Sequence, residues 1–144
     1  MTEQTARQRW MAILVRASQA EIENLLGADL PSHEVLKAPE TGTVMVEGRA
    51  GGTGRRFNLG EATVTRCIVR IADGAMGFSY ALGRDARKAR LAAILDAKLQ
   101  ADAPGGPLHR GIDALAQRQA AARDIASRKA AATKVDFFTL VRGA

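Results

Sequence analysis

The densest run that could meet a charged ligand is Arg49-Ala50-Gly51-Gly52-Thr53-Gly54-Arg55-Arg56. Glycines open positive φ and expose consecutive backbone N–H groups, which together can form an anion nest. Flanking guanidinium groups add charge-assisted hydrogen bonds to a phosphate. Arg49, Gly51, Gly52, Thr53 and Gly54 are therefore candidate phosphate or substrate ligands. Arg66, with Arg70 on the same strand face beyond Ile68, could extend the basic patch. The run is not a P-loop, because no Lys-Ser or Lys-Thr follows the glycines. It also lacks the strand–loop–helix setting of a dinucleotide fingerprint. A wide loop between two strands accounts for the same glycines, and surface ion pairs account for the arginines.

Groups able to move protons or attack a substrate are scarce. The chain has two histidines, His33 and His109, and one cysteine, Cys67. Neither histidine is near Cys67 in sequence, and no HExxH or other paired-ligand spacing is present, so no metal site is expected. Cys67 falls mid-strand among Thr65, Val69 and Ile71, which favours a buried structural thiol over a nucleophile. Local duties absorb the obvious carboxylates. Glu21 completes a capping box with Ser18, Asp73 sits in a turn, and Asp85 caps a helix. No catalytic residue can be nominated.

The elements that must position these residues follow from periodicity. Arg7 to Ala17 reads as a first helix, with Trp10, Met11, Ile13, Leu14 and Val15 ringed by arginines. A short second helix follows Ser18, carries Ile22, Leu25 and Leu26, and stops at Gly27. Beyond Pro31 the period shortens. His33–Lys37 reads as a weak strand, Thr43–Arg49 as an alternating one, and Thr63–Ala72 as a longer β-branched one. Asp73-Gly74 signals a two-residue hairpin. The returning strand presents Met76, Phe78, Tyr80 and Leu82 on one face. Ala75, Gly77, Ser79 and Ala81 form the other, small enough for a helix to approach closely.

After Asp85, Leu91, Ile94, Leu95 and Leu99 repeat at helical spacing. Ala103-Pro104-Gly105-Gly106-Pro107 breaks the chain, and residues 102–110 are expected to form a variable loop. A last, alanine-rich helix is expected from about Gly111 to Thr133. The expectation is one α+β domain over residues 1–144: an antiparallel sheet of three to four strands with N-terminal and C-terminal helices packed on it.

Class follows from bulk properties. At 144 residues with 47% hydrophobic content, the chain can bury a real core. A single thiol forms no internal disulfide, and no apolar run reaches a membrane span, so a cytoplasmic chain without membrane contact is expected. The net charge of +6 rests on sixteen arginines against five lysines. Arginine suits phosphate and carboxylate partners, although solvated faces explain the same excess. The ending Val135-Asp136-Phe137-Phe138-Thr139-Leu140-Val141-Arg142-Gly143 is apolar enough to need cover. It suits either a terminal strand completing the domain or a subunit interface through Val135, Phe137, Phe138, Leu140 and Val141. Trp10 shares that ambiguity.

Several of these segments, in order, resemble one family. Arg9-Trp10-Met11, Glu40-Thr41-Gly42, Arg49 to Gly54 followed by Phe57, Gly60-Glu61-Ala62-Thr63-Val64-Thr65-Arg66, Gly83-Arg84-Asp85 and Val135 to Gly143 are similar to the PhnG family, the G subunit of the bacterial carbon–phosphorus lyase core complex. The resemblance implies H, I and J subunits as partners, with an ATP-binding-cassette-type accessory subunit. It implies a share in forming ribose 1-alkylphosphonate 5-triphosphate from ATP and an alkylphosphonate, with adenine released. ATP would be a substrate of the complex, and the iron–sulfur cluster and SAM would belong to a partner subunit. No cofactor is expected on this chain alone, and its role would be assembly or completion of a neighbour's site. The alternative class is a basic nucleic-acid-binding module, disfavoured by the lack of an aromatic stacking platform or a helix-turn-helix pattern. A stand-alone hydrolase built on Cys67 is the third.

Overall fold

The ends of the first elements are set by side chains that satisfy backbone groups. In the computed structural model, which describes residues 3–28, 30–49 and 54–143, helix α1 spans Glu3–Val15 and helix α2 spans Gln19–Leu26. Between them Ser18 Oγ accepts from Glu21 N–H at 3.1 Å, and Glu21 Oε1 accepts from Ser18 N–H at 2.9 Å. This is the expected capping box. Gly27 ends α2 at φ +79°, where a side chain would be strained.

Strand β1 runs unbroken over His33–Arg49, β2 over Arg56–Ile71 and β3 over Met76–Leu82, giving a three-stranded antiparallel sheet of order β1-β2-β3. Two separate strands were expected where β1 stands. Pro39 falls between them, and it is accommodated because β1 lies at the sheet edge, where a proline forfeits no ladder bond. Register shifts between Val35 and Lys37 and between Lys37 and Glu40 absorb the irregularity. Strand β2 likewise starts at Arg56 rather than near Thr63. The hairpin to β3 is there, but Ile71 N–H donates to Ala75 O, so three residues make the loop instead of two. Gly74 takes φ +94° in it, and Asp73 Oδ1 accepts from Ala75 N–H.

Helix α3 spans Ala86–Ala101, capped by Asp85 Oδ1 accepting from Lys88 N–H at 3.0 Å. It is the centre of the molecule. Leu91, Ile94, Leu95 and Leu99 join Ile13, Leu14, Ile22, Leu26, Ile112 and Leu115 in one core. Its small residues meet β3, whose face of Gly77, Ser79 and Ala81 is buried, as the sequence suggested. A Cβ on Gly77 would run into the Ala93 carbonyl and come within 3.0 Å of Ala97 Cβ. Ser79 Oγ–H donates to Ala89 O at 2.6 Å across the same contact.

Helix α4 spans Pro107–Gly143, longer than expected at both ends. Proline fits the first helical position because its missing N–H has no partner there anyway. Asp102 supplies the cap: its Oδ2 accepts from Leu108 N–H at 3.2 Å and His109 N–H at 3.4 Å. The loop expected over 102–110 is therefore shorter, and its second half is helix. At the other end Val135–Gly143 continues the helix, which corrects the reading as a strand. No glycine or proline interrupts the chain between Gly111 and Gly143, and extending a helix is far easier than nucleating a new element. At 1.5 Å per residue α4 is about 56 Å long. Ile112 and Leu115 bury against the body, Gln119 Nε2–H donates to Ile13 O, and Ala120–Ala132 are exposed throughout.

Candidate functional site

The most concentrated polar site is one that the sequence reading overlooked. Asp96, 0% exposed, sits mid-way along α3. Its Oδ1 accepts from Trp10 Nε1–H at 2.8 Å and from Arg7 Nε–H at 3.4 Å. Its Oδ2 accepts from Arg7 Nη2–H at 2.8 Å, Phe78 N–H at 2.9 Å and Gln100 Nε2–H at 3.3 Å. The carboxylate thus ties α1, β3 and α3 together. Arg7 also stacks over the Phe78 ring at 5.3 Å. A usable signal was present: Asp96 follows Ala89, Ala92 and Ala93 at helical spacing, and a carboxylate on a buried small-residue stripe must find donors. With both oxygens occupied, Asp96 is poorly placed as a general base.

Trp10, read as packing either within its own domain or at a subunit interface, is 8% exposed and belongs to this chain's core, held there by its N–H bond to Asp96. His109 packs edge-on against its ring, with centroids 5.3 Å apart.

Cys67 is buried, as expected, with its thiol 3.4 Å from Lys37 O. Burial pushes its pKa above the ordinary thiol value, opposed in part by the nearby Arg90 charge. Both histidines are engaged locally, His33 Nδ1 with Pro31 O at 3.0 Å and His109 Nε2 with Leu99 O at 3.1 Å. No Cys/His pair forms.

Of the suggested phosphate ligands, the described ones are Gly54, Arg66 and the Arg49 backbone. Gly51, Gly52, Thr53 and the Arg49 side chain lie outside the described residues, while Gly54 is exposed beside Arg55. Arg49 pairs with Arg56 across the ladder. Arg66 is ten positions farther along β2, roughly 33 Å at strand rise. Arg66 and Arg70 do share an exposed face, with Ile68 between them half-buried. Arg66 Nη2 is 3.8 Å from Glu40 Oε2, which Lys37 Nζ also approaches at 3.2 Å. Within one chain, then, Arg66 lies far along β2 from the Arg49–Arg56 pair. The side chains of Val135, Phe137, Phe138, Leu140 and Val141 lie outside the described residues; their backbone is helical.

Charge is dispersed rather than striped. Arg9 pairs with Asp113, Arg56 with Glu47, Arg87 with Glu23, Arg118 with Glu21 and Arg128 with Asp124. The Gln19 amide, then Arg87, hold the Glu23 carboxyl below its ordinary pKa. Glu23 and Arg87 border an open cleft of about 500 Å³ lined by Leu26, Leu30 and Leu91. Among the described residues no His, Cys, Asp and Glu side chains gather in a group able to hold a metal ion. No helix among them is long and apolar enough to cross a membrane.

Several large apolar side chains are exposed near the hairpin end of β1 and β2. Beyond Gly42, whose partner Val64 is the last β2 residue paired with β3, the ends of β1 and β2 form a two-stranded arm. On it Thr43–Glu47 and Gly54–Leu59 are all exposed, Met45 at 64% and Leu59 at 61%.

Comparison with known proteins agrees with the segment-by-segment similarity. The family model described as phosphonate metabolism protein PhnG matches residues 5–143. A protein of Rhizobium meliloti (strain 1021), named alpha-D-ribose 1-methylphosphonate 5-triphosphate synthase subunit PhnG, is 45% identical over 95% of this chain and 89% of its own length.

Proposed function

The chain belongs to the PhnG family of phosphonate metabolism proteins, and from that premise we propose that it is a non-catalytic subunit of a ribose 1-alkylphosphonate 5-triphosphate synthase. The reaction joins ATP and an alkylphosphonate and releases adenine. The H, I and J subunits and an ATP-binding-cassette-type subunit are its partners in the cytoplasm, and the chain contributes assembly or completes a neighbour's site. The observation that carries this reading is the near full-length match to a protein named as a subunit of that synthase. The residues support the passive role. Asp96 is saturated by donors, Cys67 is buried with a raised pKa, and each histidine is held by a backbone carbonyl. Any phosphate contact from the Arg49–Gly54 loop or Arg66 would orient substrate in a partner's site rather than do chemistry.

Co-expression with the partner subunits tests the proposal. The chain is expected to co-purify with them, and the assembled complex, but not the isolated chain, to release adenine from ATP when methylphosphonate is added. A chain that stays outside the co-expressed complex, or releases adenine alone, overturns it. Dispersed arginines, several of them in ion pairs, do not favour the nucleic-acid reading.

A further inference from the structure

Helix α3 packs on one face of the sheet. Gly77, Ser79 and Ala81 lie under it, so the alternating Met76, Phe78, Tyr80 and Leu82 point to the other face. Across the ladder Tyr80 stands opposite Arg66, and Phe78 opposite Ile68. On the next strand Glu40 stands opposite Arg66, and Lys37 opposite Ile68. Between these two rows is a hollow of about 60 Å³ whose walls include Lys37, Arg66, Ile68, Phe78 and Tyr80. That is several times the space one water needs.

Two observations give the hollow a ligand chemistry. The first is convergence of charge. Lys37 Nζ at 3.2 Å and Arg66 Nη2 at 3.8 Å approach one and the same oxygen, Oε2 of Glu40. An oxyanion beside the hollow therefore meets two cations at once. Glu40 is a loose occupant of that position. Its side chain is 56% exposed, and its approach to Arg66 exceeds hydrogen-bond length. Exposed ion pairs contribute only about 0–1 kcal/mol, so a phosphate, with more charge and more oxygens, displaces it. Arg70 adds a third cation on this face, against Glu34 opposite it. The second observation is an available ring. Phe78 already has the Arg7 guanidinium over it at 5.3 Å, whereas Tyr80 is 46% exposed. An exposed aromatic ring beside an arginine is a surface on which a nucleobase stacks. From β3 to β1 is two strand spacings, roughly 10 Å. A nucleotide laid across the strands sets its base on Tyr80, its sugar over Ile68 and its phosphates between Arg66 and Lys37.

We propose that this hollow binds a nucleotide polyphosphate, with Tyr80 stacking the base, Arg66 and Lys37 holding phosphate oxygens, and Glu40 giving up its place. This deepens the synthase-subunit reading and rests on it for the choice of ATP as the nucleotide to offer. Photolabelling of the co-expressed complex with 8-azidoadenosine triphosphate tests the inference. The label is expected within residues 71–84, the tryptic peptide that carries Tyr80, and excess ATP should suppress it. Titration of the full isolated chain with ATP should move the amide NMR signals of Arg66, Ile68 and Tyr80. Arg66→Ala should weaken ATP by roughly tenfold or more. Tyr80→Ala should weaken it by about fivefold or more, while Tyr80→Phe stays near wild type. Glu40→Gln should tighten it by roughly twofold, a sign that a merely structural Glu40 would not give. All four side chains are exposed or at the surface, so circular dichroism should not change. If the complex assembles and the ATP-protected label falls only on other subunits, the inference falls and the subunit reading survives. If inorganic triphosphate binds as tightly as ATP and Tyr80→Ala changes nothing, the hollow is a phosphate site and the nucleotide claim is overturned. If the chain enters no complex yet binds ATP alone with this pattern of variants, the subunit reading falls and the site stands.

Discussion

Trp10 Nε1–H donates to Asp96 Oδ1 at 2.8 Å across 86 positions of sequence, linking the first helix to the central one. The same carboxylate accepts the Phe78 backbone N–H and the Arg7 guanidinium. Asp96→Asn would remove the charge and turn an amide N–H toward groups that are themselves donors. Removing one partner of a buried, hydrogen-bonded ion pair destabilises by roughly 3–5 kcal/mol. Urea unfolding of Asp96→Asn should show a loss of that order, with Trp10 emission shifted to the red in the folded baseline. Arg7→Gln should lose less, since the Arg7 side chain is 34% exposed and water can replace part of its role. Equal stability of wild type and Asp96→Asn would remove the hub from this account.

Gly77 makes a second steric claim. An added methyl there meets the Ala93 carbonyl, a backbone atom that cannot swing aside. Helix α3 would have to lift from β3, and overpacking of this kind costs about 1–3 kcal/mol. Gly42 serves as the control, because nothing lies within 4 Å of a Cβ there. Gly77→Ala should lower the urea midpoint while Gly42→Ala stays within about 0.5 kcal/mol of wild type. Similar midpoints for the two variants would contradict the close helix–sheet packing.

That contact also shows which parts of the fold were legible. The small face of β3, the Ser18–Glu21 box, the Asp85 cap and the Asp73-Gly74 turn could be read because each is a local rule involving neighbours in sequence. The segments that misled are those where distant packing decides. Residues 33–37 and 43–49 read as separate strands but are one edge strand, and Val135–Gly143 looked like a strand by residue type but prolongs an uninterrupted helix. Trp10 stayed ambiguous because its acceptor, Asp96, lies on another helix. Family resemblance was legible in ordered segments, whereas the distance of Arg66 from the Arg49–Arg56 pair needed the strand's length.

Cys67 makes stability depend on pH in a definite direction. Burial raises its pKa in the folded chain, so the folded state keeps the thiol proton at pH values where the unfolded state releases it. Below the unfolded thiol value of about 8.5 both states hold the proton and nothing changes. Above it the unfolded state binds fewer protons, and stability falls as pH rises. The slope from this group is at most about 1.4 kcal/mol per pH unit. Urea unfolding between pH 8 and 10 should therefore show a shallower decline in Cys67→Ala than in wild type. Identical slopes would mean that the buried thiol does not contribute. The same burial should make the native thiol slow to react with a thiol reagent and fast in denaturant.

Helix α4 changes character along its length, and paired substitutions should expose the change. Leu115 is fully buried against the body, one of its anchors with Ile112. Deleting such a side chain leaves a cavity, and Leu→Ala in a core costs roughly 2–5 kcal/mol. Ile125, less than three turns farther on, is 54% exposed within a stretch where every residue from Ala120 to Ala132 is exposed. Alanine also has the higher helix propensity, so Ile125→Ala should be neutral or slightly stabilising in the isolated chain. Urea unfolding of the two variants separates these cases: a large loss for Leu115→Ala, and a change within about 0.5 kcal/mol for Ile125→Ala. A large loss for Ile125→Ala in the isolated chain would place the outer half of α4 against the body rather than beyond it.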